Sequence, residues 1–152
     1  DYPFRTKHTI TFAGATTNAW GDDGGTLDGG AVFTVTGIVL IKVIAACTTL
    51  LDSDGAATLS LGITGDTAIF LPVETATQID AGQLWVNDAS NVTYIIAGEE
   101  AAAIDNIPEY LLNGNDLILT IAGGANVTSG VIDFYALWKP ISDDGSVTAP
   151  DN

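Results

Sequence analysis

A single histidine, a single cysteine and several neighbouring carboxylates are the residues of this chain equipped for chemistry. Proton transfer near neutral pH belongs first to imidazole. His8 lies between Lys7 and Thr9 in a stretch with strand-like alternation, and no Ser or Cys stands in a nucleophile-elbow setting. His8 is therefore read as a strand residue rather than a general base. Cys47 closes an apolar run with no cationic cluster near it in sequence, which suits a small buried hydrophobe better than a reactive thiolate. Being alone, it permits no internal disulfide.

Glycoside hydrolysis needs two carboxylates flanking the scissile bond. The pairs Asp22 with Asp23, Glu99 with Glu100, and Asp143 with Asp144 supply the residue type. In a chain with 19 acids such neighbours arise by chance, and they are read as solvated turns. Asp52, Ser53, Asp54 and Gly55 imitate the opening of a calcium loop, but the twelfth position is Ile63 where an EF-hand needs a bidentate Glu. A looser calcium site from Asp22, Asp23 and Asp28, or from Asp52 and Asp54, is the remaining metal candidate. No cofactor is expected. Asn91 and Asn126 each open an Asn-Val-Thr tripeptide, read as chance matches to the glycosylation pattern.

The elements that would position these residues are strands. Period-two patterns and β-branched runs recur throughout, and no window carries a helical stripe. Expected strands are Lys7 to Ala13, Ala31 to Thr36, Ile38 to Cys47, Ala57 to Thr64, Thr67 to Leu71, Leu84 to Asn87, Val92 to Ala97, Asp116 to Ala122 and Gly130 to Lys139. Turn clusters separate them at Gly21 to Gly25, Asp28 to Gly30, Asp52 to Gly55, Gly65 and Asp66, Asn113 to Asn115, and Gly123 to Asn126. The expectation is one all-β domain over residues 1–152, an antiparallel β-sandwich, jelly roll or barrel of about nine short strands. Residues 1–8 are read as an extended arm and 141–152 as an extended or mobile tail. Short helical turns fit at Thr75 to Asp80 and Glu99 to Ile104.

Charge narrows the partners. The formal net charge is -15, with four basic side chains in all. Such a polyanion is repelled by nucleic acid and by anionic membranes, so neither is expected as a partner. The amino terminus has no apolar leader core, and Lys42 interrupts the longest apolar stretch, Ile38 to Cys47, so no membrane span is expected. Mean hydropathy is +0.33 and 15% of residues are charged, against about 25% in average soluble domains. That shortage of charge points to surface buried between like subunits.

Interface candidates follow from placement. Tyr2, Phe4, Arg5 and Lys7 combine aromatic anchors with local positive charge and suit an acidic neighbour. Lys139 ends the last strand, and Lys42 stands alone within an apolar run. Tyr135, on the face opposite Phe134, implies a last strand covered on both sides. Trp20, in a loop between Asn18 and Gly21, is free to anchor an interface, to stack on a sugar, or simply to pack beneath its own loop.

Several runs resemble small head decoration proteins of tailed bacteriophages. They are FTVTGIVLIKV from Phe33 to Val43 with Cys47 and Thr48 after it, AATLSLGITGDTA from Ala56 to Ala68, ATQID from Ala76 to Asp80, and GVIDFYALWKPISDDG from Gly130 to Gly145. The resemblance spans roughly Ala31 to Val147 and carries no catalytic signature. It implies a β-rich cement protein, commonly trimeric, on the outer surface of the virion, clamping major capsid subunits. The segment before Phe12 and the loop Gly21 to Gly30 match less well. A tail, fibre or adhesion module binding host glycan through Trp20 and a neighbouring acidic loop, with or without calcium, is the alternative, and a hydrolase using Asp22 and Asp23 a distant third.

Overall fold

In a computed structural model of the chain, residues 2–16, 18–87, 95–96 and 107–151 are described. They form eleven strands in two antiparallel sheets, the all-β sandwich that the alternating pattern implies. The strands are β1 (Phe4–Thr11), β2 (Gly30–Thr36), β3 (Ile38–Ser53), β4 (Thr58–Ile63), β5 (Asp66–Thr75), β6 (Leu84–Trp85), β7 (Ile95–Ile96), β8 (Tyr110–Asn113), β9 (Leu117–Ala122), β10 (Val127–Pro140) and β11 (Ser146–Thr148). The first sheet runs β1-β10-β3-β6-β7, with β8 also paired to β3; the second runs β11-β2-β9-β4-β5.

The first sheet is built on the ladder between β10 and β3, which runs from Val127 beside Ser53 to Pro140 beside Val39 and is unbroken from Ile132 beside Cys47 onward. Alternation along β3 sends Val39, Ile41, Val43, Ala45 and Cys47 inward, and Ile132, Phe134, Ala136 and Trp138 of β10 join them. Phe33, Leu61, Leu117 and Leu119 meet them from the second sheet, all fully buried. Trp85 sets its ring edge on Phe134 with centroids 6.2 Å apart, and its Nε1–H donates to the Pro72 carbonyl at 3.1 Å. The one polar atom of this ring is thus satisfied inside the core.

Several expectations need correction. Ile38 to Cys47 is the first part of a 16-residue strand, because pairing with β10 carries β3 on through Thr49 to Ser53 across a bulged stretch. The bulge falls at Gly130, whose φ of +112° and close approach to Leu51 and the Leu50 carbonyl leave no room for a Cβ. The supposed arm 1–8 is strand from Phe4 onward, paired residue for residue with β10. The supposed tail holds β11, which pairs Ser146 to Thr148 with Thr36 to Thr34. β8 was not anticipated, and only Leu84 and Trp85 of the run Leu84 to Asn87 are strand. The helical turn expected near Thr75 to Asp80 is a 3₁₀ turn at Ala76–Gln78. The turn Glu99 to Ile104 and most of Val92 to Ala97 lie outside the described residues.

Phe134 is fully buried against Trp85, so Phe134→Ala should cost about 3–5 kcal/mol in urea-induced unfolding. A loss below about 1 kcal/mol would show that the sheets close over the gap.

Candidate functional site

His8 and Cys47 are both engaged in holding the fold. The ring of His8 is buried, and its Nδ1–H donates to the Val32 carbonyl of β2 at 2.7 Å, tying the two sheets together. Trp20 and Phe33 stand edge-on to it at 6.3 and 6.5 Å. The Cys47 thiol donates to the carbonyls of Thr49 at 3.2 Å and Ile79 at 3.8 Å. Burial, with a smaller push from the Asp80 charge, raises its pKa and keeps it protonated.

The acidic loops converge at one end of the sandwich. The two calcium candidates, one in the loop of Asp22 and Asp23 and one in the turn of Asp52 and Asp54, meet around Asn126. Asp23 and Asp54 line a shallow polar hollow there with Gly123, Gly124 and Asn126. Their oxygens already have donors. Asp54 accepts from the Asn126 backbone N–H at 2.7 Å and from its Nδ2 at 2.9 Å, and Asp23 accepts from the Gly124 N–H at 2.9 Å. Asp28 takes the N–H groups of Ile121 and Gly24, both at 2.8 Å, and Asp52 takes that of Ser53 at 2.8 Å. Among the described residues no three acidic, His or Cys side chains are grouped to hold a metal ion. These carboxylates act as turn pins. The Asn126 side chain is equally committed, since its Oδ1 accepts from the Asp23 N–H at 2.9 Å. Asp144 accepts from the Ser142 hydroxyl at 2.6 Å. Glu99, Glu100 and Asn91 lie outside the described residues.

Trp20 packs beneath its own loop, one of the three roles its position left open. Its side chain is 6% exposed and belongs to the core, with Nε1 buried and unpartnered. The loop is drawn inward by backbone bonds: Ala13 N–H donates to the Trp20 carbonyl, and Gly14 and Val127 are bonded across the strand end. Gly21, at φ +101°, lets the chain pass against the Val127 carbonyl where a Cβ would collide.

The chain's four cations assemble on one surface. Cross-strand partners share a sheet face, and the registers place Arg5 beside Leu137 and Leu137 beside Lys42. The next row holds Lys7, Tyr135 and Ile44, and the row on the other side holds Lys139, Leu40 and Leu111. All lie on the outer face of the first sheet, away from the second. Arg5 and Lys7 stand over the Tyr135 ring at 5.3 and 5.8 Å, and Lys42 and Lys139 over the Tyr2 ring at 5.0 and 5.7 Å. Asp133 is a carboxylate of this face, held by the Thr9 hydroxyl at 2.5 Å and by Lys7 at 3.5 Å. Leu111 is 63% exposed.

Of the residues named as interface candidates, Tyr2, Arg5, Lys7, Tyr135 and Lys139 come together here. Lys42, expected to stand alone, joins them. Phe4 is on the opposite side of its strand, stacked on Trp138 at 4.7 Å. Lys42 was missed because its neighbours on the face come from β1 and β10, far away in sequence. Comparison with protein-family models, curated proteins and solved structures finds no match for this chain.

Two measurements check the electrostatics. Cys47 should resist Ellman's reagent in the native protein and react at once in denaturant; fast native labelling would contradict its burial. Burial also raises the Glu74 pKa, so its carboxylate opposes folding above the carboxyl range and ceases to do so once protonated. Glu74→Gln should therefore melt above the parent at pH 7, with the advantage fading as pH falls through that range. An advantage that instead grows on acidification would reverse the sign.

Proposed function

We propose that this protein is a structural subunit of a tailed-phage virion. In this reading it decorates the outer surface of the head as a homo-oligomer, with a trimer as the expected form, and clamps neighbouring major capsid subunits through the cationic face of its first sheet. One observation carries the reading: the chain's four basic side chains share a sheet face with exposed and half-buried apolar residues, and among the described residues only Lys7 is ion-paired there, to Asp133. A surface so divided fits an acidic, partly apolar partner. Leu40, Leu111, Leu137 and Tyr135 supply area to remove from water, while Arg5, Lys7, Lys42 and Lys139 set approach and register.

The mechanism needs no bond-making. A subunit that binds one state of a shell stabilises that state by mass action, and several contacts per oligomer multiply the effect. A rigid sandwich suits this work because little ordering is left to do on docking. The sequence resemblance to head decoration proteins supports the same reading. The glycan-binding alternative rested on Trp20 and a neighbouring acidic loop; a ring enclosed in the core offers no face to a sugar, and Asp23 and Asp54 of the acidic loops already accept backbone N–H groups.

Purified heads stripped of this subunit should bind it saturably, at a fixed number of copies, and less tightly as salt rises. Reversing two charges, Lys42→Glu with Lys139→Glu, should weaken binding at least about tenfold, roughly 1.4 kcal/mol. Heads that ignore the wild-type protein, or bind the reversed variant equally well, would overturn the proposal.

A further inference from the structure

The same sheet ends in an edge that is unusually open. Backbone bonding from the Phe12 N–H to the Gly130 carbonyl at 2.9 Å continues the register of β1 on β10. Bonding alternates along an antiparallel ladder. Phe4, Thr6, His8 and Ile10 therefore spend their backbone groups on β10, and Arg5, Lys7, Thr9 and Thr11 aim theirs away from the sheet. Among the described residues no backbone or side-chain group bonds to those outward N–H groups. The side chains of these four residues are exposed as well.

Among the described residues the other edges are capped or short, and β8, paired with β3 alone, has four residues. β5 contains Pro72, and its outward carbonyls at Pro72 and Ile69 are capped by Trp85 Nε1 and Asn87 Nδ2, each at 3.1 Å. β11 is three residues long and β7 two. β1 has eight residues, no proline and no register shift against β10. Long straight edges of this kind are templates for an added strand.

We infer that β1 receives an extended segment of a partner as an additional strand, and that this segment carries acidic residues at alternate positions. The inference rests on reading this face as a docking face. Residues paired with Arg5 and Lys7 must lie on their side of the sheet, where a carboxylate meets Arg5, which has no ion pair among the described residues, and shares Lys7 with Asp133, both cations being oriented by Tyr135. The intervening residues turn toward Thr6 and His8, which favours β-branched side chains there. A second copy of β1 is the wrong occupant. Its residues Phe4–Thr11 include no carboxylate, so no register of the strand with itself gives Arg5 or Lys7 an opposite charge.

The test uses a twelve-residue peptide alternating Glu with Val and Thr, a matched peptide with Lys in place of Glu, and amide hydrogen exchange on the intact protein. The acidic peptide should slow exchange at Arg5, Lys7 and Thr9 at least about tenfold and leave Thr6 and His8, already bonded to β10, unchanged. The Lys peptide should bind at least about tenfold more weakly. Thr9→Pro removes an outward N–H at a position where an edge strand tolerates proline, and should abolish binding of the acidic peptide. Thr9→Val, which also loses the hydroxyl bond to Asp133 but keeps the N–H, should retain it. If Thr9→Pro fails to fold, Lys7→Glu replaces it and should show the same loss.

Absent protection, equal binding of both peptides, or an unaffected Thr9→Pro would each overturn the inference. Assaying Thr9→Pro on heads separates the two proposals. Heads that bind wild type and Thr9→Pro alike leave the decoration reading standing and remove strand addition, whereas heads that bind neither protein remove the decoration reading.

Discussion

The pairing of β3 with β10 is the constraint from which the rest of the molecule follows. Twelve registered pairs join the two strands, and every other pair delivers an apolar couple to the interior. Ala136 lies beside Val43 and Phe134 beside Ala45, so large and small side chains oppose one another and the second sheet can settle between them. The same alternation decides the outside. Once Phe134 faces in, Tyr135 and Leu137 face out, and with them Ile44 and Lys42 across the ladder. A one-residue slip would bury Lys42 and expose Phe134, which is why the hydrophobic pattern fixes the register so firmly.

Strands on either side of this ladder are long-range neighbours. β1 reaches β10 across most of the chain, and succeeding strands mostly switch between the two sheets. The loops that carry these crossings must be pinned, and the acids do that work. Asp23, Asp28 and Asp54 each accept backbone N–H groups from another part of the chain, fastening the loop after β1 and the turn after β3 to residues bordering β9 and β10. A carboxylate accepting from a backbone N–H makes a stronger bond than a neutral acceptor does. Part of the high acid content is therefore structural at the end of the sandwich where Trp20 is enclosed.

What was legible in the sequence divides along local and non-local lines. Alternation at Ile132, Phe134, Ala136 and Trp138 is a local signal, and it identified the strand and set those four residues on one face, while which face meets the second sheet, with Tyr135 and Leu137 half-buried on the other, is decided by tertiary packing. β11 was hidden because Ser146, Val147 and Thr148 sit in a polar tail and owe their conformation to Thr34 to Thr36. β1 begins earlier than its apolar pattern because Arg5 and Lys7 are outward residues of a strand with one wet face. The role of Trp20 was left open among three for the same reason: a loop tryptophan is drawn inward only by tertiary bonds, here from Ala13 and through Gly21 and Val127. The cationic face was half visible, as Arg5 and Lys7 are close in sequence, but Lys42 joins them only through the strand order β1-β10-β3.

That gathering of charge forfeits something small and retains something larger. Spread among 19 acids, four cations would form exposed ion pairs worth about 0–1 kcal/mol each. Among the described residues one such pair is made, Lys7 with Asp133. Lys42 and Lys139 instead share the ring of Tyr2, and Arg5 shares that of Tyr135 with Lys7, so like charges stand close together. The negative field of the remaining surface offsets their mutual repulsion, and the tyrosine rings hold them without neutralising them. Their charge stays available to a partner, and an acidic surface arriving at this face gains attraction that internal pairing would already have used.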